Sequence, residues 1–149
     1  PKFQMLNNDK NLIFLDNISD PGNFGTILRT ALWFGIDQIA YSPGSIDPYN
    51  PKVVRGAMGA HFNISWLGEL RLEELKGYRI LGADHRGESI KSLRIDNQKW
   101  ALIMGNEPHG LSKTTHKYLE ELIAIPKVGE GESLNIGVSM GILLYELTK

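Results

Sequence analysis

Five short apolar runs bounded by turn residues recur along the chain, at Leu12–Leu15, Gln38–Tyr41, Arg79–Ala83, Ala101–Met104 and Leu122–Ile125. They are nearly continuous rather than alternating, which is the pattern of strands buried on both faces. Helical periodicity fills the gaps. Phe24, Ile27, Leu28, Ala31 and Leu32 follow the i, i+3, i+4, i+7, i+8 rule, with Asn23 predicted as the N-cap and Gly35 as the stop. Further helices are predicted over Pro51–Met58 and Glu69–Lys76, after Ser112, and over Leu134–Leu147. The last is apolar almost all round, which places it inside the fold or against a partner subunit. Strands alternating with helices predict an α/β domain: a mostly parallel sheet with helices on both faces. No repeat, low-complexity tract or linker divides residues 1–149, so a single domain is expected.

Composition narrows the class. Hydrophobic residues make up 42% of the chain and charged residues 22%, values of an ordinary globular domain. There is no cysteine, which excludes a disulfide framework and thiolate metal ligands and suits a reducing compartment. No apolar run approaches the roughly 20 residues that span a bilayer. The start, PKFQMLNNDKN, lacks the apolar core of a signal peptide, so a cytoplasmic protein without membrane contact is expected. Because the chain begins at Pro1, an N-terminal RNA-binding domain removed from a longer protein is part of the expectation. The net charge of −1 does not advertise nucleic-acid binding; any RNA contact must be local.

Four loop segments carry candidate chemistry. LDNISDPGNFGTILRT joins a strand end to a helix start and bears Asn23 and, two turns on, Arg29. By itself it reads as a βα turn with a capping Asn and a solvated Arg. The functional alternative gives the helix start and the permanently charged guanidinium to a phosphate. SPGSIDPYNPKVVRGAMGAH holds Lys52, Arg55 and His61, either a solvated face or the local basic patch that the overall charge lacks. GNEPHGLS, residues 105–112, has Gly105 and Gly110 for close backbone approach and the Glu107 carboxylate at a strand end. IPKVGEGESLN offers the flexible Gly129 and Gly131, with Ser133, expected to cap the last helix, and Asn135. Two such loops after buried strands so near the C-terminus point to one binding site. No phosphate-binding GxxxxGK[ST], dinucleotide-binding GxGxxG or hydrolase GxSxG pattern is present. His61, His85, His109 and His116 lack zinc-ligand spacing, so no metal is expected.

Taken in order, NxxxxxR from Asn23 to Arg29, GNEPHGLS and IPKVGEGESLN resemble the three motifs of the SpoU (TrmH-type) RNA ribose methyltransferases of the SPOUT class. DPYNPKVVRGAMGAHF is similar to the segment that joins the first two motifs there. The resemblance runs from about Leu12 to Leu147, and three ordered motifs are far more specific than one. It implies a C-terminal trefoil knot, a rarity among folds, which holds S-adenosylmethionine in a bent shape. It also implies a homodimer and a structured RNA partner, tRNA or rRNA. Carried over by position, Met104, Gly105, Asn106, Gly110, Ile125, Lys127 and Leu134 would cradle the cofactor. Arg29, Asn23, Glu107, Ser133 and Asn135 would form the catalytic group, with Arg29, Lys52, Arg55 and His61 toward RNA. The pattern departs at Lys127, where similar proteins often have Met, and at Gly137, where they often have Ser.

The reaction so implied is transfer of a sulfonium methyl group to a ribose 2′-OH, which calls for alignment and exclusion of water rather than a metal. A guanidinium is a poor base. Arg29 is therefore expected to bind the phosphate beside the target nucleotide and stabilise alkoxide charge, while Ser133 and Asn135 orient the hydroxyl. Glu107 would hold neighbouring side chains or take the proton through water. The competing readings are a non-catalytic RNA-binding module of the same fold, which has no need of that polar set, and a Rossmann-like small-molecule methyltransferase, which would carry a glycine-rich loop after the first strand.

Overall fold

The computed structural model describes residues 3–105, 111 and 113–149. Among these, strands β1 (Leu12–Asp16), β2 (Gln38–Tyr41), β3 (Ser65–Glu69), β4 (Arg79–Ser89), β5 (Trp100–Gly105) and β6 (Glu121–Ala124) form one sheet in the order β3-β2-β1-β5-β4-β6. Every neighbouring pair is parallel. Helices α1 (Pro21–Trp33), α2 (Pro51–Ala57), α3 (Lys113–His116) and α4 (Ile136–Leu147) occupy the connections. The continuous apolar runs do what their pattern requires. Ile13, Leu15, Ile39, Leu102 and Met104 face a core built with Phe24, Ile27, Leu28, Val53, Met140, Leu143 and Leu144 of α1, α2 and α4. Leu12, Phe14, Ala40, Ala101 and Ile103 face the other way, onto Leu72, Leu75, Tyr78, Leu111 and the partly buried Leu119.

Small residues set how closely the helices approach. At the α1–α2 crossing, a Cβ on Gly25 would stand 2.7 Å from the Gly56 carbonyl carbon and 2.8 Å from the Ala57 nitrogen, so only glycine lets the two backbones touch. Helices α1 and α4 run parallel: a Cβ on Gly137 would meet Thr26 Cγ2 at 2.9 Å, one on Gly141 would meet Thr30 Cγ2 at 3.8 Å, and Tyr145 packs edge-on to Phe34 at 6.4 Å between ring centroids. Each four-residue step along one helix thus matches a four-residue step along the other. Gly137, unfavourable inside a helix by about 1 kcal/mol relative to Ala, is explained by this contact.

Four expectations change. Asp20, not Asn23, caps α1: its Oδ1 accepts the Asn23 N–H at 2.8 Å, and Pro21 takes the first helical position. Asn135, not Ser133, caps α4, accepting the N–H groups of Gly137 and Val138 at 2.8 and 3.4 Å, so the helix starts at Ile136. The helix expected over 69–76 is a single 3₁₀ turn at Leu72–Glu74, preceded by β3, which the apolar pattern missed. The connection is too short for a stable helix, and Leu72 and Leu75 are both drawn onto the sheet. β4 is also longer than its apolar run. Asp84–Gly87 leave the ladder with β6, and Glu88 and Ser89 rejoin it against Ile123 and Ala124. There a Cβ on Gly87 would lie 2.5 Å from the Leu122 carbonyl carbon, so two backbones pass in contact.

Candidate active site

The ends of parallel strands leave a crevice that loops must fill, and here β4, β5 and β6 open into a cavity of about 550 Å³. Ala83, Met104, Gly105, Ile123, Ala124 and Ile125 come from the strand ends; Pro126 to Asn135 form one wall; Ile136, Ser139 and Leu143 of α4 and Asn23 of α1 complete it. Its size suits a small organic ligand. The wall loop is braced internally, with Lys127 Nζ donating to the Gly131 carbonyl, and Gly131 itself has a positive φ of 121°. Leu134 and Val128 are exposed apolar side chains on this wall.

Residues far apart in sequence meet here. Asn135 Nδ2 donates to Asn23 Oδ1 at 3.1 Å while Asn135 Oδ1 caps α4, so one side chain ties the first motif to the third. Of the residues expected to act, Asn23, Ser133 and Asn135, with Met104, Gly105, Ile125, Lys127 and Leu134, line the cavity. Arg29, Lys52, Arg55 and His61 do not. Arg29 is exposed on α1, six residues beyond Asn23 and so about 9 Å along the axis and on a different face. Lys52 and Arg55 are exposed on α2. His61 bonds the Pro48 carbonyl at 2.6 Å and packs on Tyr49 and Trp66, a role within the loop. Asn106, Glu107 and Gly110 lie outside the described residues.

The motifs passed over Asp84 and His85, which also line the cavity. The Asp84 carboxylate is fully buried. Burial alone would raise its pKa. Hydrogen bonds from the Arg86 guanidinium, the N–H groups of Arg86 and Leu111, and the Arg86 charge outweigh burial and hold the carboxyl well below the usual carboxylate range. Arg86 Nη2 also lies 2.8 Å from His116 Nε2; a guanidinium only donates, so the ring nitrogen accepts. The position of Asp84 directly after an apolar strand run was the signal available in the sequence. Among the described residues no group of three or more His, Asp or Glu side chains could hold a metal, and no helix is long and apolar enough to cross a membrane.

Residues 10–145 match the SpoU rRNA Methylase family. The chain belongs to this family. A tRNA/rRNA methyltransferase of Borreliella burgdorferi, itself uncharacterised, is 35% identical over 93% of this chain and 63% of its own length. The 23S rRNA (guanosine(2553)-2′-O)-methyltransferase RlmP of Bacillus subtilis is 33% identical over 93% of this chain and 58% of its own. Among solved structures, a Porphyromonas gingivalis protein assigned to the TrmH family of RNA methyltransferases superposes with a TM-score of 0.87 at 31% identity, over 99% of this chain and 62% of that one. The SpoU methyltransferase AviRb of Streptomyces viridochromogenes, solved in complex with S-adenosylmethionine, superposes with a TM-score of 0.84 at 26% identity, over 97% and 58%. This SpoU family chain thus spans about 60% of the length of these relatives.

Proposed function

We propose that the chain is the catalytic part of an RNA 2′-O-ribose methyltransferase that uses S-adenosylmethionine and acts in the cytoplasm on structured tRNA or rRNA. One observation carries the reading: the cavity at the ends of β4, β5 and β6 gathers Asn23, Gly105, Ser133 and Asn135 from three separate segments, and it does so in a member of the SpoU family. The residues present fit the cofactor. The strand-end backbone at Met104–Gly105 and Ile125–Lys127 supplies amide and carbonyl groups, Leu134 and Leu143 supply apolar surface, and Glu130 and Glu132 place carboxylates around a ligand bearing a sulfonium charge. When bound, that cofactor supplies an electrophilic methyl group.

The remaining work falls to the chain. Asn23 and Asn135, each holding the other, keep the mouth of the site in one geometry and with Ser133 orient the ribose hydroxyl for in-line attack. Arg29 contributes charge, binding the phosphate beside the target nucleotide and stabilising the developing alkoxide. Its distance from the cavity of its own chain favours action across a homodimer. Thr26, Arg29 and Trp33 form one exposed stripe on α1, and Val138, Ile142 and Tyr145 form an exposed apolar stripe on the adjoining α4. A surface of this kind suits a second copy of the chain, whose cavity Arg29 would then serve. Exposed Lys52 and Arg55 supply local positive charge to RNA. A trefoil knot is carried into this proposal by membership of the SpoU family.

Calorimetry with S-adenosylmethionine, followed by mass spectrometry of ribose methylation in RNA incubated with the protein and cofactor, tests the proposal. Saturable binding and a single methylated 2′-O position are expected. Binding of RNA without binding of the cofactor would establish the non-catalytic module instead. Arg29→Lys is expected to retain RNA binding within about threefold and lose turnover at least a hundredfold, because an ammonium cannot replace the planar fork. Near-normal turnover would remove Arg29 from this role.

A further inference from the structure

From Pro48 to Gly68 the chain carries no Asp or Glu, while Lys52, Arg55 and His61 fall inside that stretch, in a protein whose net charge is −1. Helix α2 exposes Lys52 and Arg55, and among the described residues no carboxylate pairs with either. The same stretch leaves apolar side chains in water. Val54 and Met58 stand four residues apart at the end of α2, hence on one face, and Met58 is 73% exposed. Met58 and Gly59, at φ 50° and 88°, then lead the chain into the 3₁₀ turn Ala60–Asn63, where Phe62 is 92% exposed. His61 packs inward on Tyr49 and Trp66, whereas the Phe62 ring adds almost nothing to the core. A Cβ on Gly56 would lie 3.8 and 3.9 Å from the carbonyl oxygens of Pro21 and Gly22. This end of α2 therefore crosses the first turn of α1, from which Asn23 lines the cavity.

An aromatic ring standing in water beside unpaired cations suits a nucleobase and its phosphates: every base has a π face that stacks on such a ring, while the cations hold the backbone. We propose that Phe62 and Met58 form a ledge on which an unpaired nucleotide of the RNA stacks beside the target ribose, its phosphates held by Lys52 and Arg55. The substrate class follows. Bases inside an A-form duplex stack on one another, so the segment that this ledge accepts is a loop, a bulge or a strand end. A second copy of the chain is a poorer occupant. A twofold contact centred on this patch would set Lys52 and Arg55 against their own copies. The patch also belongs to the side of α1 that bears Gly25, whereas α4, with its apolar stripe, meets α1 at Thr26 and Thr30. The inference rests on the reading of this chain as an RNA methyltransferase.

The test measures, by fluorescence anisotropy, binding of a labelled oligouridylate and of a duplex RNA of equal length to the wild-type protein, Phe62→Ala, Phe62→Trp and Lys52→Gln. Phe62→Ala is expected to keep the wild-type denaturation midpoint, to weaken oligouridylate binding about tenfold and to change duplex binding less than about twofold. Phe62→Trp, which keeps a ring, is expected to bind the single strand within about twofold of wild type. Lys52→Gln is expected to weaken both RNAs and to lower the single-strand slope of log Kd against log salt by roughly 0.7, a slope that Phe62→Ala leaves unchanged. A strand carrying 5-iodouridine is expected to photo-crosslink to Phe62, as mapped by mass spectrometry. Equal single-strand affinity in Phe62→Ala and wild type, or crosslinks confined to other surfaces, would overturn the proposal. So would conversion of a dimer to a monomer by Phe62→Ala in sedimentation, which would give the patch to a second copy. A wild-type protein that binds neither RNA would instead overturn the RNA reading on which the inference stands.

Discussion

Asn135 does two jobs through two different atoms, and a single substitution separates them. Its Oδ1 caps α4 and its Nδ2 donates to Asn23. Asn135→Asp keeps an acceptor at a position where Asp and Asn cap about equally well, and places negative charge at a helix N-terminus. Unfolding free energy is expected to stay within about 0.5 kcal/mol of wild type, measured by denaturant titration, while methyl transfer falls at least tenfold because the carboxylate cannot donate to Asn23. Unchanged transfer would show that the Asn23 contact is incidental to the reaction. Asp84 makes a second prediction at this scale. Its folded pKa lies below the unfolded value near 4. The stabilisation it provides is therefore complete above about pH 4 and is lost as pH falls below that. The stability difference between wild type and Asp84→Asn is expected to narrow as pH falls from about 4 toward about 2; a difference that widened toward acid would refute the assignment.

At the scale of elements, glycine decides where helices meet. Gly25→Ala gains helix propensity of about 1 kcal/mol but drives a methyl into the backbone of α2, whose nearest atom would be 2.7 Å away. Backbone cannot rotate aside as a side chain can, so the net effect is expected to be destabilisation of about 1–3 kcal/mol, read from denaturant midpoints; a neutral result would mean that α2 can shift freely. The same scale explains which elements the amino-acid pattern revealed. β1, β2, β5 and α1 are apolar runs or stripes whose period declares them, because their burial is set by local geometry. β3 was hidden because Ser65, Gly68 and Glu69 leave its apolar run only two residues long, Trp66 and Leu67. The segment 69–76 reads as a helix in propensity alone. Packing of Leu72 and Leu75 onto the sheet overrode that preference.

At the scale of the whole molecule, the exposed faces of α1 and α4 make a prediction about assembly. Val138, Ile142 and Tyr145 are 52%, 39% and 63% exposed, and Trp33 on the neighbouring helix is 84% exposed, so a contiguous apolar surface faces outward. Ile142→Glu is expected to convert a dimer to a monomer in sedimentation equilibrium. The monomer is expected to bind S-adenosylmethionine within about fivefold of wild type and to lose at least a hundredfold in methyl transfer, because Arg29 would no longer reach a partner's cavity. A wild-type protein that sediments as a monomer would remove the surface from this role.

The sequence by itself determined the class of fold, through the alternation of apolar runs with helical stripes. The resemblance of its ordered motifs to those of the SpoU family also put Asn23, Ser133 and Asn135 together, and the three line one cavity. Those properties are local: burial on both faces writes a continuous apolar run, and a loop at a strand end writes its glycines and polar residues in a row. What only the tertiary structure decided is non-local. That Asn135 reaches Asn23 rather than solvent, that Arg29 stands away from its own cavity, and that Asp84 holds Leu111 depend on strand order and on the depth at which two chain segments cross. Such contacts join residues up to 112 positions apart, and no period in the sequence encodes a distance between side chains that the chain brings together only on folding.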